Sequence, residues 1–251
     1  MRRNLFAFAF AGVLPFSLAA NEEIKPFPNH EWSFEGPRGT YDLAALQKGF
    51  QVYKQVCSAC HSLKRIHFRN LAALGYSEAE IKAIAAEYEV TDGPNDLGEM
   101  FTRKATPADA IPGPYANDQA ARAANNGALP PDLSLVVKAR QGGPDYIYAL
   151  LTGYENPPAG KELPEGMHYN PYFPRGQIAM TPPLLEGIVT YSDGTTPTVQ
   201  QMSHDVVNFL TWAAEPEMSE RKQMGFKILV YLSVFTVLMY FVMRRVWAKV
   251  K

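Results

Sequence analysis

The sequence predicts a mainly α fold with a small β-hairpin and one C-terminal transmembrane helix. Three observations predict it. Apolar residues recur at helical spacing in several segments bounded by capping residues. One strand–turn–strand signal occurs at 188–198. The apolar run Gly225–Met243 lies near the C-terminus and carries a single charge, Lys227. At 251 residues, 47% of them hydrophobic and 20% charged, the chain can bury a sizeable core as one or two domains. A net charge of −1 argues against a general nucleic-acid binder.

Taken in order, residues 1–20 read as a secretory signal. Arg2 and Arg3 form a basic start, Leu5–Leu18 an apolar stretch, and Ala19 or Ala20 a small residue at the cleavage point. An uncleaved anchor is the alternative. Residues 21–222 form the exported body. Its first part, Asn21–Arg38, is Pro-rich and aromatic, an arm laid over the domain. Asp42 caps a helix in which Leu43, Leu46, Phe50 and Tyr53 share a face and which runs into Cys57. Ser77-Glu-Ala-Glu80 is a capping box opening a second helix. Asp92–Pro114 has few regular signals. Gln119–Asn126 reads as a short helix ending at Gly127. Pro130–Leu133 opens a helix through Arg140, and Pro144 starts the next, with Gly153 as its left-handed end. Asn156–Pro183 is a long loop. Ile188–Tyr191 and Thr195–Thr198 flank a Ser-Asp-Gly turn as a hairpin. Ser203–Ala214 is helical, and Pro216 separates it from the anchor.

The anchor is placed at 223–243, since about twenty apolar residues cross a bilayer, with a tail at 244–251. Arg244, Arg245, Lys249 and Lys251 suit a cytoplasmic tail. Arg221 and Lys222 stand on the other flank, so the export signal decides the orientation: body outside, on the periplasmic face of a bacterial inner membrane, and tail inside.

Cys57-Ser-Ala-Cys60-His61 carries the chemistry. It reads as a c-type haem attachment site, with two thioether cysteines followed by an iron-ligating histidine. Two cysteines three apart lie near each other on one helical face and can reach one edge of a porphyrin. A thioredoxin-like site needs a preceding strand, and a helical pattern precedes here. A zinc site needs about four ligands. Cys57 and Cys60 are the only cysteines, so no other disulfide can form. For the iron's sixth position the sequence offers Met100, Met167, Met180 and Met202 in the body. Met180 stands out because Pro182 and Pro183 stiffen the chain after it. His168, or an open position, remains the alternative. A thioether ligand favours reduced iron and raises the potential.

Several long segments resemble the cytochrome c1 family: Trp32–Gly36, Lys48–Cys57, Asp92–Asn95, Ala120–Ser134, Leu150–Tyr154, Asn170–Pro174, Met180 with its prolines, Trp212–Pro216 and Arg221–Gly225. The resemblance implies a class I cytochrome c-like core with large insertions, in which the first and last helices cross. It implies one covalent haem c on Cys57 and Cys60, with His61 and Met180 as axial iron ligands. It places Asn125 and Arg140 near the propionates, and Tyr146 and Pro131 in the pocket wall. It further implies a bc1 complex in which the chain takes electrons from a Rieske iron–sulfur protein and passes them to a cytochrome c. Cytochrome b would be its neighbour, in a dimeric complex. An extra disulfide found in some bacterial relatives is impossible here, and the acidic region is thinner than in some members.

That region runs from Glu78 to Glu99, with seven acidic residues and one basic, Lys82. It reads either as a solvated face or as a dock for a basic cytochrome c, with Asp96 and Glu99 as docking residues. Two further functions are weighed against the bc1 subunit. One is a free-standing tethered cytochrome. The other is a haem peroxidase or gas sensor, which needs an open sixth site.

Overall fold

The computed structural model describes residues 25–248 and residue 250. The signal at 1–20 and the tail residues Lys249 and Lys251 lie outside the described residues. The elements are α1 (Leu43–Gln55), β1 (Leu63–His67), α2 (Glu78–Ala86), β2 (Glu89–Asp92), β3 (Phe101–Lys104), β4 (Ala110–Ile111) and α3 (Asp118–Ala124). They continue with α4 (Val136–Ala139), α5 (Gly143–Thr152), β5 (His168–Tyr169), β6 (Gln177–Ile178), α6 (Val199–Ala214) and α7 (Met218–Trp247). Among the described residues the fold is mainly helical, with three two-stranded antiparallel sheets.

The core is built on the crossing of α1 and α6. Asp42 caps α1 by accepting from the Ala44 N–H at 2.9 Å. The apolar face of α1 then meets α6, where Phe50 and Tyr53 pack against Phe209 at ring distances of 5.5 and 5.7 Å. Gly49 sits at the crossing. A Cβ there would lie 2.0 Å from the Asp205 carbonyl oxygen, so the two backbones approach this closely only because the residue is glycine. α5 lies against the other side of α6. The arm rests on α5: Trp32 is buried, stacks on Phe34 and on His204, and donates its indole N–H to Asp145 at 2.7 Å.

Five sequence expectations change. Asp92–Pro114 is not irregular: β3 pairs with β2, and β4 with β1. β2 and β3 are charged and largely exposed, with Lys104 and Glu89 paired at 3.2 Å across the hairpin, so they show no apolar alternation. The hairpin expected at 188–198 is only a turn, closed by the Tyr191 N–H to the Thr195 carbonyl at 2.9 Å. Its flanks are drawn onto helices instead: Gln51 donates to the Thr190 carbonyl, and the Tyr191 hydroxyl to Asp205. The helix expected from Pro130 is the single turn α4, because Asp132 is engaged elsewhere. Gly153 is not left-handed (φ −99°); a Cβ there would meet the Tyr172 ring at 2.4 Å, so close packing requires it. α6 also begins earlier than expected, at Val199, capped by Thr198.

α7 is continuous from Met218, through the segment placed at 223–243 and beyond it. It is the one helix among the described residues long and apolar enough to cross a membrane, with 18 residues of mean hydropathy 2.0. Thirty residues span about 45 Å at 1.5 Å per residue, more than the hydrocarbon core requires.

Candidate haem-binding site

α1 delivers the Cys57–His61 run. The helix tightens after Val56 into a 3₁₀ turn over Cys57–Ala59, with the Cys60 and His61 N–H groups both donating to the Cys57 carbonyl at 3.1 and 2.9 Å. The Ser58 hydroxyl donates to the Lys54 carbonyl at 2.7 Å, and the Tyr53 hydroxyl to the His61 carbonyl at 3.2 Å. Burial pushes the Cys57 thiol up to about 12, so it is held as an uncharged sulfur.

The segment 130–134 forms the opposite bracket. Asp132 accepts from the Ser62 hydroxyl at 2.7 Å and from the Lys64 and Ser134 N–H groups at 2.9 and 3.0 Å. The Leu133 N–H donates to the Ser62 carbonyl at 2.9 Å. This fixes Pro131, whose carbonyl lies 2.8 Å from His61 Nδ1. A carbonyl can only accept, so Nδ1 carries the proton and Nε2 keeps its lone pair. Burial lowers the His61 pKa, which holds the ring neutral. Metal-ligating histidines characteristically donate their other ring N–H to such a group. Two free thiols on one turn and a neutral imidazole with a free Nε2 are the donor set that a covalently attached haem requires. No cluster of three or more His, Cys, Asp or Glu side chains suited to a bare metal ion occurs among the described residues.

Three more of the expected residues lie on or next to α5 and just past the β5–β6 hairpin. Tyr146 is buried on α5, with the Arg140 guanidinium beside its hydroxyl. Burial raises the Tyr146 pKa, and the guanidinium partly offsets the rise. Met180 stands two residues past β6, half-buried, and its carbonyl accepts from the Tyr154 hydroxyl at 3.1 Å. Tyr154, Met167, His168 and Pro182 line a cleft of about 500 Å³. Among the methionines considered, Met202 is fully buried in α6, and Met100, 62% exposed, sits just before β3. Met167 lines the cleft, and Met180 is joined to its lining only through Tyr154.

Sequence comparison settles the family. The model of the Cytochrome C1 family matches residues 32–250. The chain belongs to the cytochrome c1 family. It is 51% identical to "Cytochrome c1 2, heme protein, mitochondrial" of Arabidopsis thaliana, over 98% of this chain and 82% of that one. It is 46% identical to "Cytochrome c1" of Rhodospirillum rubrum, over 100% of this chain and 98% of that one. It is 53% identical to "Cytochrome b-c1 complex catalytic subunit, mitochondrial" of Candida albicans, over 93% of this chain and 81% of that one.

Within this cytochrome c1 fold the expected site residues fall into four groups. Cys57, Cys60, His61 and Pro131 are brought together; Pro131 acts through its carbonyl, a role its place in a turn did not announce. Arg140, Tyr146 and Met180 share the α5 side. Asn125 lies at the C-terminal end of α3, where its amide group donates to the Ala121 carbonyl at 2.7 Å and the Tyr115 hydroxyl at 3.0 Å. Both its amide protons are thus used locally. Asp96 and Glu99 are far along the chain, exposed in the β2–β3 loop, which Asn95 shapes by accepting from the Leu97 and Glu99 N–H groups at 2.9 Å each. Of the seven acidic residues, Glu87, Glu89 and Asp92 are paired with Lys54, Lys104 and Arg103. Neither Asp96 nor Glu99 has an ion pair among the described residues. Sequence reading missed Asp132 and Tyr154. An aspartate directly after Pro-Pro, too late to cap α4, was the available signal for the first.

Proposed function

We propose that this chain is the electron-transfer haem subunit of a membrane-bound cytochrome b–c1 complex. The observation that carries the reading is the 2.8 Å contact between His61 Nδ1 and the Pro131 carbonyl, which leaves Nε2 for iron directly beside Cys57 and Cys60. Haem c, when bound, supplies a one-electron iron couple. Cys57 and Cys60 would hold it covalently, and His61 and Met180 would be its two iron ligands. Arg140, beside Tyr146, would pair bidentately with a propionate. Tyr146 and Pro131 form walls of the pocket. Asn125, near the propionates, also steadies the α3 end and Tyr115. With His61 and Met180 both committed to the iron, these residues would serve electron relay and leave no coordination site for a substrate.

The name of the Candida relative supports cytochrome b as a neighbour. The electron donor is a Rieske iron–sulfur protein and the acceptor a cytochrome c, docking over Asp96 and Glu99, in a dimeric assembly. The residues divide as a signal at 1–20, a periplasmic body at 21–222, an anchor at 223–243 and a cytoplasmic tail at 244–251. Orientation is supported by the flanking charges. Arg221 is tied to Glu215 and Lys222 to the Phe34 carbonyl, so the body-side cations are spent on contacts to the body. Arg244 and Arg245 remain to mark the cytoplasmic end.

Isolation in mild detergent tests the reading. The expected result is a c-type spectrum with a b-type cytochrome and an iron–sulfur protein co-purifying. A chain that purifies alone, or whose reduced form binds carbon monoxide readily, overturns it in favour of a tethered carrier or a ligand-binding haem protein. A Met180→Leu variant with unchanged spectrum and potential removes Met180 from the site.

A further inference from the structure

We infer that Tyr154 is a positioning residue for Met180, holding the ligand loop through a hydrogen bond to the Met180 backbone. The inference rests on the reading of Met180 as an iron ligand. The bond runs from the Tyr154 hydroxyl to the Met180 carbonyl at 3.1 Å.

The rest of the loop shows why this one bond matters. The hairpin leading to Met180 is fixed to the end of α5 by two contacts. The fully buried Asn170 donates to the Leu150 carbonyl at 2.8 Å, and the Glu155 N–H donates to the Tyr169 carbonyl at 3.4 Å. That support ends at Ile178, the last residue of β6. Pro182 and Pro183 stiffen the chain on the far side. Among the described residues, the Tyr154 hydroxyl is the only hydrogen-bond donor that reaches residues 179–181 from outside. Methionine is unbranched, with freely rotating bonds, and its own packing fixes it weakly. A backbone held at Met180 leaves only the side-chain torsions to be ordered on binding iron. Tyr154 comes from the end of α5, the helix that also carries Tyr146 and follows Arg140. One element therefore sets the pocket wall and the ligand loop together.

The net contribution of one such hydrogen bond corresponds to about a two- to tenfold change in an equilibrium. The test uses the haem-bearing full chain in detergent, oxidised, titrated with imidazole, which competes with the protein's own sixth ligand. Y154F removes only the hydroxyl and is expected to tighten apparent imidazole binding about two- to tenfold. M180L is expected to tighten it further, and Y154F in the M180L background to add nothing. Spectra read only haem-bearing molecules, so a lower yield of the variant does not alter the comparison. If Y154F binds imidazole as the parent does while M180L binds it more tightly, positioning is overturned and Met180 stands. If Y154F tightens binding equally in both backgrounds, the hydroxyl governs access to the pocket, and positioning is again overturned. If M180L changes nothing, the reading of Met180 itself fails. A lower melting temperature with unchanged imidazole affinity marks a purely structural role and also overturns the inference.

Discussion

Replacing Gly49 by alanine tests whether the α1–α6 crossing is at backbone contact. The added Cβ would lie 2.0 Å from the Asp205 carbonyl oxygen and 2.7 Å from Phe209 Cβ. Ordinary contact between such atoms is about 3.5 Å, so the helices must part by more than about 1 Å. Overpacking of this kind costs about 1–3 kcal/mol, and the upper end applies because the obstructing atom is backbone and has no rotamer to escape into. Alanine also improves the helix by about 0.8–1.0 kcal/mol over glycine. The two effects oppose, and the clash wins by about 1–2 kcal/mol. For a domain of this size that lowers the melting temperature by about 2–8 °C. Thermal unfolding of the haem-bearing chain, followed by circular dichroism, reads the difference. A variant as stable as the parent, or more stable, refutes the reasoning, since helix propensity alone would then decide the sign.

Tyr191→Phe removes a 2.6 Å partner from Asp205, which is 1% exposed, and should cost about 1–3 kcal/mol in urea unfolding; an unchanged midpoint would sink the claim that this bond pins the loop after Met180. The Thr195 hydroxyl, then the Thr195 N–H and Lys48, hold the Asp193 carboxyl at about 2. A depressed carboxyl stabilises fully above the ordinary Asp value and loses that support as pH falls toward the depressed one. Pepsin cutting at 186–198 should therefore rise between about pH 4 and pH 2 in the parent and stay flat in D193N, whereas parallel curves would exclude this contact. Neutralising Asp96 and Glu99 together should slow association with a basic cytochrome c at low salt and flatten the salt dependence, the rates converging once the Debye length falls well below about 8 Å. Identical salt slopes would remove these two carboxylates from docking.

What the sequence disclosed followed from how local each signal was. Asp42 and the Ser77–Glu80 box were readable because capping is decided within one turn, and both caps form. The Cys57–His61 run was readable because attachment depends on spacing alone. The β2–β3 hairpin was not readable: it is held by Arg103 reaching both Asp92 and Asp109, contacts that leave no periodic trace. Asp132 misled for a related reason. Pro-Pro-Asp looks like a helix start, but its carboxylate is drawn to Ser62 and Lys64, some seventy residues earlier. The turn at 188–198 failed as a hairpin because its flanks found partners on α1 and α6. For Asp132 and for the turn, a contact distant in sequence took the group that a local rule had assigned.

The anchor shows the same dependence on distant contacts, and it bears on how the site is held. Only Glu215, Pro216 and Glu217 separate α6 from α7, and no Gly/Ser linker stands between them. The break is bridged from several sides. Tyr41 donates its hydroxyl to the Thr211 and Glu215 carbonyls at 3.2 and 3.0 Å and its N–H to the Ser219 hydroxyl at 3.3 Å. Glu215 pairs with Arg221 and, at 3.2 Å, with Lys138 of α4. Lys222 reaches the Phe34 carbonyl, Arg38 lies 5.1 Å from the Phe226 ring centroid, and Met218 is buried. Each exposed ion pair contributes at most about 1 kcal/mol by itself. Their effect is geometric, because swinging the body about Pro216 would break the arm, α4 and α6 contacts at once. α6 crosses α1 at Gly49, and α1 ends in Cys57. The axis of α7 and the edge of the haem-binding turn are therefore linked through packed helices, so the membrane helix sets the direction in which the site faces.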